Sequence, residues 1–117
     1  MKTSPLADYN PLDKIVSALY MLPLKVQFCH HLTTSYAAHK ALDTTYDSLN
    51  DLKDSIVEKL IGYSQRFSKV NLETLDNYSE SMNNMVAVEI MNFGKKLESW
   101  AAENEYCDIE NLAQIVS

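Results

Sequence analysis

The fold is decided by one stretch, residues 30–59, which reads HHLTTSYAAHKALDTTYDSLNDLKDSIVEK. Its TTSY run supplies candidate N-cap residues, and from Tyr36 to Phe67 the chain has no proline and a single glycine, Gly62. The apolar side chains of this segment fall on one helical stripe: Ala38, Leu42, Leu49, Ile56 and Leu60, with Tyr46 and Val57 on its flank. We therefore predict a helix over residues 36–67, about 48 Å long.

A second amphipathic segment precedes this helix. Over residues 11–32 the apolar side chains recur at helical spacing, and one stripe contains Ile15, Leu19, Leu22, Val26 and Cys29. Pro23 lies inside the segment, lacks a backbone N–H and clashes with the preceding turn. We expect either a kink at Pro23 or a break, with one helix ending near Met21 and another starting after it.

Two further helices are predicted after a polar connection, SKVNLETLDNYSES, which has room for a short helical turn. The third helix spans residues 80–103, with these side chains inward: Met82, Met85, Val86, Ile90, Phe93, Leu97 and Trp100 or Ala101. Asp108 is the expected N-cap of a last helix that ends at Ser117. Residues 1–117 thus predict one all-α domain, an antiparallel bundle of three long helices and a short one. Either the bundle is a shortened version, or another subunit fills the gap.

Composition narrows the function classes. The formal net charge is −6, and no cluster of Lys and Arg is present, so we expect no nucleic-acid partner. No apolar run approaches the roughly 20 residues that span a bilayer, and the first ten residues lack the apolar core of a signal peptide, so we expect a cytoplasmic protein without a membrane partner. Cys29 and Cys107 are isolated thiols to which we assign no role.

Two pairs of side chains in the second helix have the spacing of metal ligands. His39 and Asp43 are four residues apart, as are Asp54 and Glu58, so each pair lies on one helix face. Histidine and carboxylate together suit iron, manganese or zinc, and bundles use such pairs to build di-metal sites. However, His39 and Glu58 are separated by roughly 28 Å of helix rise. One chain cannot close this site with its second helix alone.

A symmetric dimer solves this problem of distance. If two copies of the second helix pack antiparallel about a two-fold axis at position 48.5, His39 faces Glu58 of the other copy and Asp43 faces its Asp54. Each interface then contains two equivalent clusters, to which His30 or His31 can add a ligand. The competing interpretation is a solvated helix face, because Lys40, Lys53 and Lys59 lie nearby. Asp47 and Asp51 fit such a face best.

The spacing His39-x-x-x-Asp43 followed by Asp54-x-x-x-Glu58 resembles the Dps family of ferritin-like proteins. This resemblance implies a ferritin-like bundle and a di-iron ferroxidase site between two subunits, with histidines and the first acid from one chain and the Asp/Glu pair from the other. The segment FCHHLTTSYAAHKAL is also similar to short, uncharacterised Dps-like proteins encoded by bacteriophages. That similarity implies His30 as the further ligand, with His31 as its substitute, and the host cytoplasm as the location.

Three functions remain open at this stage. The first is a ferritin-like metal-binding homodimer or higher homo-oligomer that binds iron, or Zn²⁺ or Mn²⁺, with ferroxidase activity if it is an enzyme. The second is a non-enzymatic helical dimer that serves as an interaction module, with a vestigial site. The third is an all-α nucleotide pyrophosphohydrolase resembling the MazG group, with Asp47, Asp51, Asp54 and Glu58 around Mg²⁺, although histidines are poor ligands of that ion. We assign no catalytic residue.

Overall fold

The computed structural model describes residues 8–114, and every regular element in that range is a helix. The four helices are α1 (Pro11–Leu32), α2 (Tyr36–Gly62), α3 (Ser81–Glu103) and α4 (Cys107–Ala113). The all-α prediction is confirmed. None of these helices is both long and apolar enough to cross a membrane.

The first helix is continuous through its internal proline. Asn10 caps α1 by accepting the backbone N–H of Asp13 at 2.7 Å, and Pro11 occupies the first turn, where a missing N–H costs nothing. Pro23 lies buried inside the helix. The alternative of a break near Met21 is therefore wrong: burial of the apolar stripe on both sides of Pro23 outweighs the one backbone hydrogen bond that proline removes.

The second helix begins as predicted and ends five residues early. Ser35 caps it by accepting the N–H of Ala38 at 3.2 Å. At its other end Ser64 has a φ of 61°, and two backbone hydrogen bonds, Ser64 N–H to the Ile61 carbonyl and Gln65 N–H to the Leu60 carbonyl, close a Schellman motif. The predicted end at Phe67 is wrong because Ser64 occupies the left-handed position that ends the helix. Glycine usually occupies this position and would have indicated the end in the sequence.

The core is made by one stripe from each long helix. Most predicted inward residues are buried or half-buried, including Val26, Ile56 and Leu97, which have almost no exposure. Several positions differ from the prediction, among them Val16, which is fully buried although the predicted stripe of the first helix omitted it. Met85 is 58% exposed, and Leu52, which the predicted stripe omitted, is buried. The helices pack in a ring in which α1 contacts α2 and α3, and α4 contacts α2 and α3.

The long connection between α2 and α3, residues 63–80, lies along α1 and contains no helical turn. Side chains spaced by four residues on α1 hold it, because the rise of the helix from Asp13 to Lys25, about 18 Å, is close to the reach of extended chain from Ser68 to Glu73. The contacts run from the start of α1 toward its end: Ser68 N–H to Asp13 (3.0 Å), Asn71 N–H to Ser17 (2.9 Å), Glu73 N–H to Met21 Sδ (3.2 Å) and Lys25 Nζ to Glu73 (3.0 Å). We call these four α1 residues the polar column.

The polar column fixes the topology. Because the connection travels parallel to α1, α3 starts beside the end of α1 and runs antiparallel to it, and is therefore parallel to α2. The chain thus forms a hairpin, one long crossover and a second, shortened hairpin. Lys25 also bonds Glu89 of α3 at 2.8 Å. Burial lowers the pKa of Lys25, but the hydrogen bonds to Glu89 and Glu73 outweigh this and leave it raised.

The last helix is short and is attached by aromatic contacts. Tyr63 donates its hydroxyl to Asp108 at 2.8 Å and stacks on Tyr106 with ring centroids 4.2 Å apart. Tyr106, not Asp108, is the N-cap, so the predicted cap is wrong: Asp108 is held inside the first turn by Tyr63. The predicted end at Ser117 lies outside the described residues. With so short a fourth helix, the Cα atoms form a flat body of 43 × 39 × 19 Å.

Replacing Asp13 by alanine is expected to destabilise the fold by about 2–3 kcal/mol, because it leaves the Ser68 N–H without its charged acceptor. Urea unfolding measures the change. Ser68→Ala, which removes only the 3.1 Å contact from the hydroxyl, should cost less, and Asp47→Ala on the exposed face of α2 should cost almost nothing. Equal midpoints for Asp13→Ala and Asp47→Ala would contradict the role of the polar column.

Candidate functional site

Two of the three histidines meet where α1 passes into α2. His30 is in the last turn of α1 and His39 is in the first turn of α2. Their rings stack with centroids 3.9 Å apart and planes 24° apart. Each ring also bonds the backbone of the other residue: His30 Nδ1 lies 2.7 Å from the His39 carbonyl oxygen, and His39 Nδ1 lies 2.9 Å from the His30 carbonyl oxygen. We call this arrangement the histidine pair.

The three-residue link 33–35 is held by Glu80 at the start of α3. Its carboxylate accepts the Thr34 N–H and the Thr33 hydroxyl, both at 2.8 Å, and the Thr34 hydroxyl at 3.2 Å. The Thr34 N–H and the Thr33 hydroxyl favour the charged carboxylate and hold the pKa of Glu80 below its usual value. The link cannot shift without breaking these bonds, so the third helix fixes the geometry at which the two histidines meet.

The histidine pair has a defined protonation pattern. A carbonyl oxygen only accepts, so both Nδ1 atoms must carry hydrogen. In the neutral ring the lone pair then lies on Nε2, and this is the state in which metal-binding histidines are found, with the other ring nitrogen donating to a carbonyl or carboxylate. The hydrogen bonds that join the helices use Nδ1 of each ring. They therefore leave the lone pair of Nε2 on each ring available to a metal ion.

Asp43 lies next to one of these nitrogens. Its Oδ1 is 3.8 Å from His30 Nε2, too far for a direct hydrogen bond. Two ligands that each lie about 2.1 Å from one ion are separated by at most about 4.2 Å, so this spacing admits an ion between them. The same spacing also suits an ion pair when His30 is protonated.

The rest of the predicted ligand set is not assembled within one chain. Asp54 and Glu58 are exposed on α2. Because α2 is continuous, Asp54 lies roughly 16 Å beyond Asp43 along the helix axis, and Glu58 lies roughly 28 Å beyond His39. Over residues 8–114, no three histidine, cysteine or acidic side chains come close enough together to hold a metal ion. His31 is exposed, with its ring 5.4 Å from that of His30, and makes no ring hydrogen bond within this range.

The interior of the bundle contains few polar side chains in the described part of the chain. The buried polar side chains there are Asp13 and Ser17, and both are used by the crossover. The remaining buried positions are apolar residues, a glycine and the thiol of Cys29, and no buried side-chain nitrogen or oxygen lacks a partner. Any site built from the predicted ligands must therefore lie on the surface.

The lysines near the acidic face of α2 point elsewhere. Lys40 lies over the ring of Tyr36, Lys53 over the ring of Tyr20, and Lys59 is 3.8 Å from Asp108 of α4. Among residues 8–114, no ion pair reaches four exposed acids of α2: Asp47, Asp51, Asp54 and Glu58. This face is thus not neutralised by its own lysines, as an ordinary face of alternating charge would be.

Sequence reasoning missed Glu80, Thr33 and Thr34. The sequence pattern indicates the two threonines only as candidate caps for the second helix, and Glu80 only as the start of the third. The sequence carries little sign of these contacts. Glu80 is separated from Thr33 by 47 positions and from Thr34 by 46, and the crossover that brings them together is not specified by any local pattern.

Comparison with known families gives one match. Residues 30–116 match DUF5856, which is described as a family of unknown function. The chain belongs to this family. The matched region begins at His30 and contains all six candidate ligands, the crossover and α2 to α4, but leaves out most of α1. No curated protein and no solved structure matches the chain significantly.

The histidine pair has a direct spectroscopic signature. We expect nitrogen-15 NMR to find that the neutral rings of His30 and His39 carry their proton on Nδ1. His31, which lacks such a bond to a described residue, is the internal control. Protons on Nε2 of His30 and His39 would contradict the reciprocal hydrogen bonds.

Glu80 should make stability depend on pH in a definite direction. Because folding lowers its pKa from 4.5, its contribution is fully present above that value and is lost as pH falls through the folded pKa. Glu80→Gln should therefore lower the melting temperature at neutral pH, and the difference from the unmodified chain should shrink in acid. Glu103→Gln on the exposed end of α3 is the control, and an equal effect of both variants would contradict this role of Glu80.

Proposed function

We propose that this protein binds divalent metal ions at sites shared by two copies of the chain. His30, His39 and Asp43 of one copy would form one half of each site, and Asp54 and Glu58 of the other copy the second half. The observation that carries the proposal is the histidine pair, because both rings are bonded through Nδ1 in the way that leaves Nε2 free for a metal.

The acidic face of α2 supports a shared site. In the antiparallel arrangement about position 48.5, carboxylates of two α2 helices approach each other, and like charges in contact oppose association. Since the nearby lysines are engaged elsewhere, a bound cation is the natural counter-charge. We therefore infer that metal binding and dimerisation are coupled, so that each promotes the other.

We further propose a ferritin-like bundle and iron as the metal. A hairpin, one long crossover and a second hairpin is the connectivity of ferritin-like bundles, and the ligand spacing resembles that of the Dps family. Zn²⁺ and Mn²⁺ suit the same ligands. Higher homo-oligomers and a cytoplasmic location, the host cytoplasm for a phage protein, belong to the same proposal.

Bound iron would supply a redox centre for the oxidation of Fe(II) by oxygen or peroxide. The chain's own contribution would be positioning: the carbonyls of residues 30 and 39 orient the rings, and Glu80 holds the link between them. The carboxylates of Asp43, Asp54 and Glu58 would balance the charge of the ions. No residue is assigned proton transfer, and ferroxidase activity is the enzymatic form of this proposal.

A second function is favoured by the same geometry. The histidine pair is complete as a mechanical clamp, because stacking and two hydrogen bonds already join α1 to α2 without a metal. In this alternative the protein is a non-enzymatic helical interaction module, and the acids of α2 form its surface. The pyrophosphohydrolase interpretation stays a prediction. No described contact of the acids Asp47, Asp51, Asp54 and Glu58 supports it.

Anaerobic titration with Fe(II) or Zn(II), followed by calorimetry and sedimentation, tests the proposal. We expect the metal to bind and to increase the dimer fraction, and we expect His39→Ala and Glu58→Ala each to abolish both effects. Asp47→Ala is the matched control, an exposed acid on the same helix outside the proposed ligand set. Binding that survives in both ligand variants would refute the site.

Mixing the two inactive variants tests whether the site is shared. In a mixed dimer of His39→Ala and Glu58→Ala chains, one site carries both substitutions and the other carries neither. Random pairing should therefore restore about a quarter of the metal capacity. The site would lie within one chain if mixing restored no metal binding and if monomers of the unmodified chain bound the metal. A chain that binds no metal and gains no thermal stability from it would favour the interaction module.

A further inference from the structure

A groove of about 450 Å³ lies between α1 and α3, away from the histidine pair. This volume is within the range of small-molecule sites, roughly 300–1,000 Å³. The floor and walls are mainly apolar side chains: Ile15, Ala18, Met21, Leu22 and Phe93. Ala18, in the middle of the α1 wall, is the smallest of these side chains.

One end of the groove is closed by the ion bridge of the polar column. Lys25 pairs with Glu73 at 3.0 Å and with Glu89 at 2.8 Å, and these three residues also line a separate cavity of about 200 Å³ on the other side. The single positive charge of Lys25 is thus shared by two carboxylates, and the bridge keeps a net negative charge. The bridge separates the two cavities and is not available to neutralise a ligand.

The other end of the groove carries two uncompensated cations. Lys14 lies about 16 Å from Lys25 along α1, and Lys96 lies about 10 Å beyond Glu89 along α3. Because α3 is antiparallel to α1, both lysines lie toward the same end. Both are exposed, line the groove and make no ion pair with another described residue. In a chain of net charge −6, this is a local reversal of sign.

We propose that this groove binds a monomeric amphipathic anion, an alkyl carboxylate of medium chain length. The tail would occupy the apolar floor and end at the Glu73–Lys25–Glu89 bridge, while the acidic head would lie between Lys14 and Lys96. An apolar site with a few converging polar groups at one end selects for such a molecule. The proposal is independent of metal binding, because it uses none of the predicted ligands.

Calorimetric titration with decanoate, kept below its micelle concentration, tests the proposal, with decanol as the uncharged probe. We expect saturable binding of decanoate and weaker binding of decanol. Ala18→Phe should weaken decanoate binding at least about tenfold because the ring fills the groove. Ala87→Phe, on the exposed side of α3, is its control.

The charge requirement is tested by the double variant Lys14→Gln with Lys96→Gln. Each partly exposed lysine is expected to increase the affinity for the carboxylate about two- to fivefold. The double variant should therefore bind decanoate several-fold more weakly and should bind decanol with unchanged affinity. Lys95→Gln, beside Lys96 but outside the groove, should change neither. His39→Ala should bind decanoate normally even if it loses metal.

Several results would overturn the proposal. One is that decanoate shows no saturable binding, and another is that the double lysine variant binds decanoate as tightly as the unmodified chain. A third is that the protein binds phospholipid vesicles and not decanoate, which would indicate that the groove binds a membrane surface. Circular dichroism checks that each variant folds. If Ala18→Phe does not fold, the lysine variant decides the question.

Discussion

The arrangement of this molecule depends on four side chains of α1 at intervals of four residues, which hold an extended crossover against the helix. A crossover of this length has many backbone N–H groups that no helix satisfies, and a buried unpaired group is costly. Asp13, Ser17 and Met21 accept three of them, and Lys25 adds an ion bridge to α3. The contacts of Glu80 with Thr33 and Thr34 then hold the start of α3 beside the start of α2.

The candidate site is a consequence of this path. Because the crossover delivers Glu80 to the link between α1 and α2, the carboxylate fixes Thr33 and Thr34, and the link in turn fixes the distance between His30 and His39. The two roles of the histidines do not compete, since the clamp uses Nδ1 and a metal would use Nε2. For the proposed metal site, a support that already holds the two rings in place would reduce the entropy lost on binding.

The sequence predicted local features well and connections poorly. The apolar stripes and the caps Asn10 and Ser35 are set by neighbouring residues, so the helix starts and most core positions follow from spacing. The end of α2 does not, because Ser64 adopts left-handed backbone where a glycine would have signalled the stop, whereas the predicted end of α3 at Glu103 is confirmed. Asp13 is polar and yet buried, which periodicity cannot anticipate. Helix rise did predict that Glu58 lies far from His39, because that conclusion needs only one continuous helix.

The polar column also determines the order in which the chain is able to fold. The hairpin of α1 and α2 closes through a link of three residues, whereas Asp13 and Ser68 are 55 positions apart and Ser17 and Asn71 are 54 apart. Contacts at such separations form late because their loop-closure entropy must be paid before they stabilise anything. During synthesis the carboxylate of Asp13 must therefore stay in water while the apolar stripe of the same helix is already packing. The contacts of α1 are therefore completed only after the crossover has been synthesised.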